Sequence, residues 1–176
     1  MQEIVDQLYT YAYYSSAAYE SFNFRELVKK KGVVVEKEKP NSDPLTPAYY
    51  IVIDNNTKQV IVIIRGTDDM DDMAVDACLA NEPFDTHHGH HHGHQGIVIA
   101  TWCLYDHMQK RLAEIMTTYG RKGYELVFTG HSLGGGCATL LSILLHPRYG
   151  AKCYGFGTPP CVTKELAEGK ARMNDL

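Results

Sequence analysis

The sequence predicts an α/β fold with a mostly parallel sheet. From residue 97 onward, helical and strand patterns alternate, which is the order expected of parallel strands joined by crossover helices. Ahead of this region, the β-branched runs Tyr49–Ile53 and Val60–Ile64 flank turn residues at 54–56 and predict a hairpin. A length of 176 residues fits one domain, and the sequence contains no internal repeat or linker.

The other elements follow from the spacing of apolar residues. Residues 4–20 repeat Ile, Leu, Tyr and Ala every three or four positions, which predicts an amphipathic helix. Residues 32–47 begin as a short strand and continue as a loop that contains three prolines. Further along the chain we expect a helix over 97–119, a strand over 124–129, a helix over 133–145, a strand over 151–156 and a helix over 164–173.

Composition narrows the class of protein. A net charge of −4 gives no electrostatic reason to expect nucleic acid or strong attraction to an anionic membrane. The apolar runs are shorter than the roughly 18–20 residues of a spanning helix, and the N-terminal segment does not resemble a secretory signal. The five cysteines include no CxxC pair, which favours reduced, structural thiols. We therefore expect a cytoplasmic or peripherally membrane-associated protein.

The strongest motif is Gly130-His131-Ser132-Leu133-Gly134. An apolar strand runs into it and a helix of small residues leaves it, which predicts a sharp strand–turn–helix. The flanking glycines have no Cβ, so the helix can pass close to the strand. Ser132 then stands at a helix N-terminus, where N–H groups and the helix dipole favour developing negative charge. We interpret Ser132 as a nucleophile, because a serine N-cap would not explain the four glycines at 130, 134, 135 and 136.

Two nearby residues have candidate roles beside this motif. Neighbouring residues in a sharp turn point in different directions, so we expect His131 to be structural rather than the general base. Arg65-Gly66-Thr67 ends the second strand of the predicted hairpin. Thr67 can offer its N–H and hydroxyl to an oxyanion, with the N–H of Leu133 as the second donor. Taken alone, Thr67 would be a turn or cap residue.

These segments, in this order, resemble the class 3 (fungal-type) lipase family, and most closely its diacylglycerol lipase-like branch. The residues that carry the resemblance are Val62–Thr67, His94–Gly96, Leu126–Gly136 and Cys153–Cys161, together with Ala17-Ala18-Tyr19 in the first helix. The resemblance covers nearly the whole chain, and GHSLGG is its most specific part. It implies an α/β-hydrolase fold, with a Ser132 nucleophile and an oxyanion residue at Thr67. It also implies a structural role near the active site for His94 and Gly96, and a lid at residues 68–93.

The rest of a catalytic triad is not recognisable. In this fold the order is Ser, Asp, His, and the residues after Ser132 contain only His146 and Asp175, in the wrong order. His146 ends the helix that leads away from the motif. We therefore expect residues 1–176 to be a C-terminally truncated hydrolase domain that is inactive alone. The triad acid and histidine should lie beyond residue 176.

A histidine-rich segment falls within the predicted lid. Six histidines occur between residues 87 and 94, interrupted by glycines at 89 and 93. Imidazoles bind zinc, nickel or copper, but a specific site also needs fixed geometry and second-shell support. The glycines favour a mobile loop, so we expect no metal and no cofactor. The acidic run at 68–72 lacks the spacing of an EF-hand and fits a solvated lid hinge.

We therefore expect a serine acyl-ester hydrolase that acts on triacyl-, diacyl- or monoacylglycerols. Its partners would be a lipid ester substrate and, transiently, a lipid interface, with no nucleic acid. The alternative is a catalytically incomplete lipase-like module that binds lipid or a protein partner. The missing triad residues favour this alternative, and the intact serine motif opposes it. A soluble ester substrate also stays open, as do acyl-chain and headgroup preference and the oligomeric state.

Overall fold

A five-stranded sheet with helices on both faces forms the body of the molecule. The computed structural model describes residues 2–20, 23–29, 33–67, 81–86, 89–164 and 166–167. In chain order its elements are α1 (Gln2–Ala17), α2 (Phe24–Lys29), β1 (Val33–Lys39), β2 (Tyr49–Asp54), β3 (Gln59–Ile64), β4 (Asn81–Thr86), β5 (Gly89–His94), α3 (Gln95–Tyr119), a 3-10 turn (Gly120–Lys122), β6 (Glu125–His131), α4 (Leu133–Tyr149) and β7 (Lys152–Phe156).

The strand order of the main sheet is β1-β2-β3-β6-β7. β2 pairs with β1 and with β3 in antiparallel fashion, whereas β3–β6 and β6–β7 are parallel. β2 alone therefore runs against the other four strands. The predicted hairpin and the mostly parallel sheet are both confirmed, and the alternation of strands and helices after residue 95 supplies the crossovers.

Helices cover both faces of the sheet, which explains the apolar composition of its central strands. Every residue of β2 and β3 is buried. Tyr49, Ile51 and Ile53 pack into the core beneath α3 and α4. Tyr50 and Val52 point the other way, into the core beneath α1 and α2. Side chains alternate between the faces of a strand, so a run such as YYIVI serves two cores at once.

The histidine-rich segment is a strand, where the sequence suggested a mobile loop. Within the described part of residues 68–93, β4 and β5 form an antiparallel two-stranded sheet. Phe84 of β4 is fully buried against Trp102, and Gly93 forms a bridge with Val162. Cross-strand pairing and this apolar anchor outweigh the weak strand preference of glycine. Residues 68–80 and 87–88 lie outside the described residues.

Other differences are local. α1 begins two residues and ends three residues earlier than the periodicity suggested, and the six-residue α2 was not predicted. α4 continues past the predicted end and includes Pro147. Most of the helix expected over 164–173 lies outside the described residues. Among the helices that are described, none combines the length and the apolarity needed to cross a membrane.

Candidate active site

Ser132 is the single residue between β6 and α4, and its backbone has a conformation that non-glycine residues rarely adopt. Its φ is 54° and its ψ is −125°. Its N–H donates to the carbonyl of Phe156 (2.9 Å), which extends the parallel pairing of β6 with β7 by one residue. The Ser132 carbonyl accepts the Gly136 N–H (3.1 Å), which begins the helix. The predicted strand–turn–helix is therefore present, and its strained residue is the candidate nucleophile.

The glycines around Ser132 are required by close backbone contacts. A Cβ on Gly130 would lie 2.5 Å from the Gly134 carbonyl oxygen and 2.7 Å from the Ile64 oxygen. A Cβ on Gly134 would strike the Ile64 oxygen and lie 2.8 Å from the Arg65 carbonyl carbon. The first turn of α4 therefore rests directly on the end of β3 as well as on β6. This contact explains both flanking glycines of the motif.

The Arg65-Gly66-Thr67 segment lies against the serine. Ile64, the last residue of β3, pairs with Gly130 of β6, so the two strands end within one residue of each other. A Cβ on Gly66 would lie 3.4 Å from the Ser132 Cβ and 2.6 Å from the His131 oxygen. Thr67, one residue further, is half-buried and lines a cavity next to His131. The structure thus brings the predicted oxyanion segment to the predicted nucleophile.

The second predicted donor lies on the other side of Ser132. Leu133 is the first residue of α4, and its side chain packs at the margin of the core. The N–H groups of the first helical turn have no carbonyl within the helix to bind. The backbone N–H of Leu133 therefore belongs to a set of donors at the positive end of a 17-residue helix.

The His131 side chain turns toward α1. Its Nδ1 is hydrogen-bonded to the Tyr19 hydroxyl (3.1 Å), and the two rings meet edge to face. The guanidinium of Arg65 lies over the Tyr19 ring, 5.8 Å from its centroid. Gly157, with φ +54°, leaves room on the other side of the imidazole. Tyr19 therefore links the Arg65–Thr67 loop to the turn that carries Ser132. In the sequence, only the Ala-Ala-Tyr pattern pointed to a role for Tyr19.

A cavity of about 480 Å³ opens between α1 and the ends of β3, β6 and β7, where Thr67, His131 and Phe156 lie. Its lining residues are Ala12, Ser15, Ser16, Tyr19, Thr67, His131 and Phe156. This volume lies within the range of roughly 300–1,000 Å³ that is typical of small-molecule pockets. The cavity adjoins the oxyanion segment, so it is the candidate substrate pocket among the described residues.

His94 and Gly96 lie at the start of α3, which packs on α4 just below the serine. The His94 N–H donates to the Cys161 carbonyl (3.2 Å). Gly96 leaves space over the His94 imidazole, whose buried Nδ1 has no partner among the described residues. One residue on, Ile97 fills the space that the absent side chain of Gly136 provides. His94–Gly96 thus lies at the start of the helix that packs on α4 behind the Ser132 turn, which we call the elbow.

Cys137, in the first turns of α4, is a fully buried thiol between α3 and α4. Its Sγ lies 3.9 Å from the Ile97 carbonyl oxygen. Burial raises the pKa of this thiol to about 12, so it stays protonated at neutral pH. A protonated, enclosed thiol is a poor nucleophile, which leaves Ser132 as the candidate on this helix.

Three further histidines of the described residues contact other groups. His146 lies fourteen residues along α4 from Ser132, about 21 Å at the rise of a helix, and its Nδ1 contacts the Ala151 oxygen (3.0 Å). His107 is hydrogen-bonded to the Tyr49 hydroxyl, and the exposed His90 side chain contacts the Asp85 carboxylate. Within the described ranges, no three His, Cys, Asp or Glu side chains gather as a metal site would require. Asp175 lies outside the described residues.

Comparison with known proteins agrees with this geometry. The chain is 35% identical over 133 residues to diacylglycerol lipase-alpha from Homo sapiens. This alignment covers 68% of this chain and 12% of that protein. The Lip2 lipase from Yarrowia lipolytica superposes with a TM-score of 0.80 at 20% identity, over 95% of this chain and 64% of that one. The mono- and diacylglycerol lipase from Aspergillus oryzae gives a TM-score of 0.77 at 24% identity, over 92% and 66% respectively.

These likenesses fix the fold and the family. The chain spans about an eighth of the length of the human diacylglycerol lipase-alpha and about two thirds of these two solved lipases. The structural neighbours establish an α/β-hydrolase fold. The sequence model described as "Lipase (class 3)" matches residues 61–175, which is most of the chain and includes Thr67, Ser132 and Leu133. The protein therefore belongs to the class 3 lipase family.

Proposed function

We propose that this chain carries the nucleophile and oxyanion hole of a serine hydrolase that cleaves acylglycerol esters. The observation that carries the proposal is the strained Ser132, placed at the N-terminus of α4 with Gly66 packed against it. The strained backbone presents the Ser132 hydroxyl at the edge of the sheet where the chain leaves β3 and β6. The likeness to a diacylglycerol lipase and to fungal lipases supports glycerolipid esters as the substrate class.

In the proposed reaction, the Ser132 Oγ attacks the ester carbonyl carbon while a general base takes its proton. The carbonyl oxygen becomes an oxyanion, which the backbone N–H groups of Thr67 and Leu133 stabilise. The C–O bond to the glycerol then breaks, and the alcohol leaves with the proton that the base returns. Water hydrolyses the resulting acyl-serine in the same way and releases the fatty acid.

We also propose that the general base and its orienting acid come from outside residues 1–176. The support is that three of the described imidazoles, those of His131, His107 and His146, each contact another group. A serine without a base retains only the contributions of binding and of the oxyanion hole. The chain alone should then hydrolyse esters slowly. The lid role of residues 68–93 stays a prediction, with β4 and β5 as its described part.

The test is a short-chain ester assay on the 176-residue chain, a C-terminally extended chain, and two variants of the extended chain. Ser132→Ala should lower the rate by roughly 10⁴–10⁶-fold, as in worked serine proteases. Ser142→Ala is the matched control, because Ser142 is a buried serine of the same helix that donates to the Thr139 carbonyl. Equal turnover by the short and extended chains would refute the external base. Full activity of Ser132→Ala would refute the nucleophile.

A second arm tests the oxyanion residue in the extended chain. Thr67→Ser keeps a hydroxyl, whereas Thr67→Val removes it at similar size. If the hydroxyl assists the backbone donor, Thr67→Val should lower kcat by about 10²–10³-fold and Thr67→Ser by far less. Identical rates for both variants would show that only the backbone N–H contributes. An extended chain that binds lipid but hydrolyses no ester would favour the lipid-binding module instead.

A further inference from the structure

A cavity at the far end of α4 from Ser132 is not used by the proposed reaction. It has a volume of about 420 Å³ and lies where the end of α3, the 3-10 turn and the end of α4 meet. Arg148, which lines it, lies sixteen residues along α4 from Ser132, about 24 Å at the rise of a helix. The volume is typical of small-molecule pockets. This cavity is therefore a second candidate binding site, distinct from the one beside Thr67.

Two arginines line this cavity without a carboxylate partner. Arg121 belongs to the 3-10 turn, and Arg148 to the last turn of α4. Elsewhere on the surface, Arg25 and Arg111 both pair with glutamates. Within the part of the chain that the structure describes, neither Arg121 nor Arg148 forms an ion pair, and none of the residues that line the cavity is acidic. Both guanidinium groups are therefore available to an anionic ligand.

The surrounding charges indicate how much negative charge the cavity can accept. Lys122 is a third cation: its Nζ lies 5.5 Å from the centroid of the Tyr119 ring, which meets the ring of Tyr124 in the cavity lining. Glu125, beside Tyr124 in the sequence, is already paired with Lys152. α3 and α4 both end here, and each helix end carries about half a negative charge. The two helix ends offset about one of the three positive charges, so about two remain unbalanced.

Two tyrosine rings form the part of the lining that an organic group can contact. The Tyr124 hydroxyl donates to the Asn55 side chain (2.8 Å), which fixes the orientation of its ring. The Arg148 guanidinium lies over the ring of Tyr149, 5.0 Å from its centroid. Tyrosine rings stack with flat organic groups, and a guanidinium stacked on a ring still presents its N–H edge to an anion. The lining therefore combines positive charge with aromatic surface.

We propose that this cavity binds a soluble phosphate monoester. Its phosphate would lie between Arg121 and Arg148, and its organic group against Tyr124 and Tyr149. A phosphate monoester carries about −1.5 to −2 charges at pH 7, which matches the unbalanced positive charge, whereas a carboxylate or sulfonate carries only one. The planar guanidinium groups also match the spacing of phosphate oxygens. The proposal does not depend on the serine chemistry, because no residue of the Ser132 turn lines this cavity.

The experiment is isothermal titration calorimetry of the 176-residue chain with phenyl phosphate, at neutral pH and physiological ionic strength. Arg121→Gln/Arg148→Gln removes both charges from the cavity and should weaken binding at least about tenfold. Arg25→Gln is the matched control, because Arg25 is also an exposed arginine but pairs with Glu38 away from the cavity. Its affinity for phenyl phosphate should change less than about twofold. Circular dichroism of both variants checks their fold.

Two further ligands separate the contributions of charge and ring. Benzenesulfonate has the same ring but a single charge and should bind at least about fivefold more weakly than phenyl phosphate. Inorganic phosphate has no ring and should bind about two- to tenfold more weakly. Equal affinities of the double variant and the wild type, or equal affinities for the three ligands, would overturn the proposal. Binding to vesicles that contain phosphatidic acid, without binding to phenyl phosphate, would also overturn it, because the arginines would then hold a lipid headgroup.

Discussion

Gly134→Ala is the sharpest test of how the elbow is built. A methyl group at this position would lie 2.8 Å from the Arg65 carbonyl carbon and 2.9 Å from its oxygen, and would also strike the Ile64 oxygen. Carbon contacts are optimal at about 3.5–4.0 Å, so the contact with the Arg65 carbonyl carbon alone would require α4 and the end of β3 to separate by at least about 0.7 Å. These are backbone atoms held in the sheet, and they cannot rotate away as a side chain can. Overpacking costs about 1–3 kcal/mol, and alanine's helix propensity returns at most about 1 kcal/mol.

We therefore expect Gly134→Ala to lower the free energy of unfolding by about 2 kcal/mol, which corresponds to a Tm lower by roughly 4–8 °C in a chain of this size. Urea unfolding followed by circular dichroism measures it. Gly136→Ala is the control in the same helix: the three atoms nearest its methyl group would all belong to the Ile97 side chain, at 3.0 Å and beyond. Its cost should stay within about 1 kcal/mol. Equal stability of Gly134→Ala and wild type would refute the tight contact between α4 and β3.

Two further expectations concern buried side chains. Burial raises the pKa of Tyr11 to about 12 in the folded chain, against about 10 when unfolded, so its contribution to stability is complete below pH 10 and is lost as the pH rises toward 12. Tyr11→Phe should flatten that decline by about 1.4 kcal/mol per pH unit in alkaline urea titrations, and an unchanged slope would contradict the buried hydroxyl. Iodoacetamide at pH 8 should modify half-exposed Cys103 in the native chain but spare Cys137, which mass spectrometry of digested protein would reveal; rapid alkylation of Cys137 would contradict its enclosure.

The sequence was sufficient to predict an element where the residues next to one another in the chain determine its structure. The hairpin of β2 and β3 follows from two β-branched runs around a turn, and the elbow follows from glycine spacing after an apolar strand. The hairpin of β4 and β5 could not be predicted in this way. Histidine and glycine have weak strand preferences, and the pairing depends on Phe84, which is anchored in a core formed by distant residues.

The site shows the same division. Ser132, Gly130 and Gly134 are recognisable because their chemistry and geometry reside in five consecutive residues. The hydrogen bond between Tyr19 and His131 joins residues 112 positions apart, and no periodicity reports such a contact. Local sequence also contains no information about the cavity between α1 and the two loops, because its shape exists only once the helix is packed on the sheet.

Parallel pairing of β3 with β6 places Ile64 opposite Gly130, so the Gly66 loop and the serine turn leave the sheet at one level. Their alignment depends on main-chain hydrogen bonds, which do not discriminate among side chains. During evolution, the stretch between Thr67 and α3 can therefore vary in length and composition while the two loops keep their mutual distance. Exchange of that stretch would leave the mutual position of the two loops unchanged.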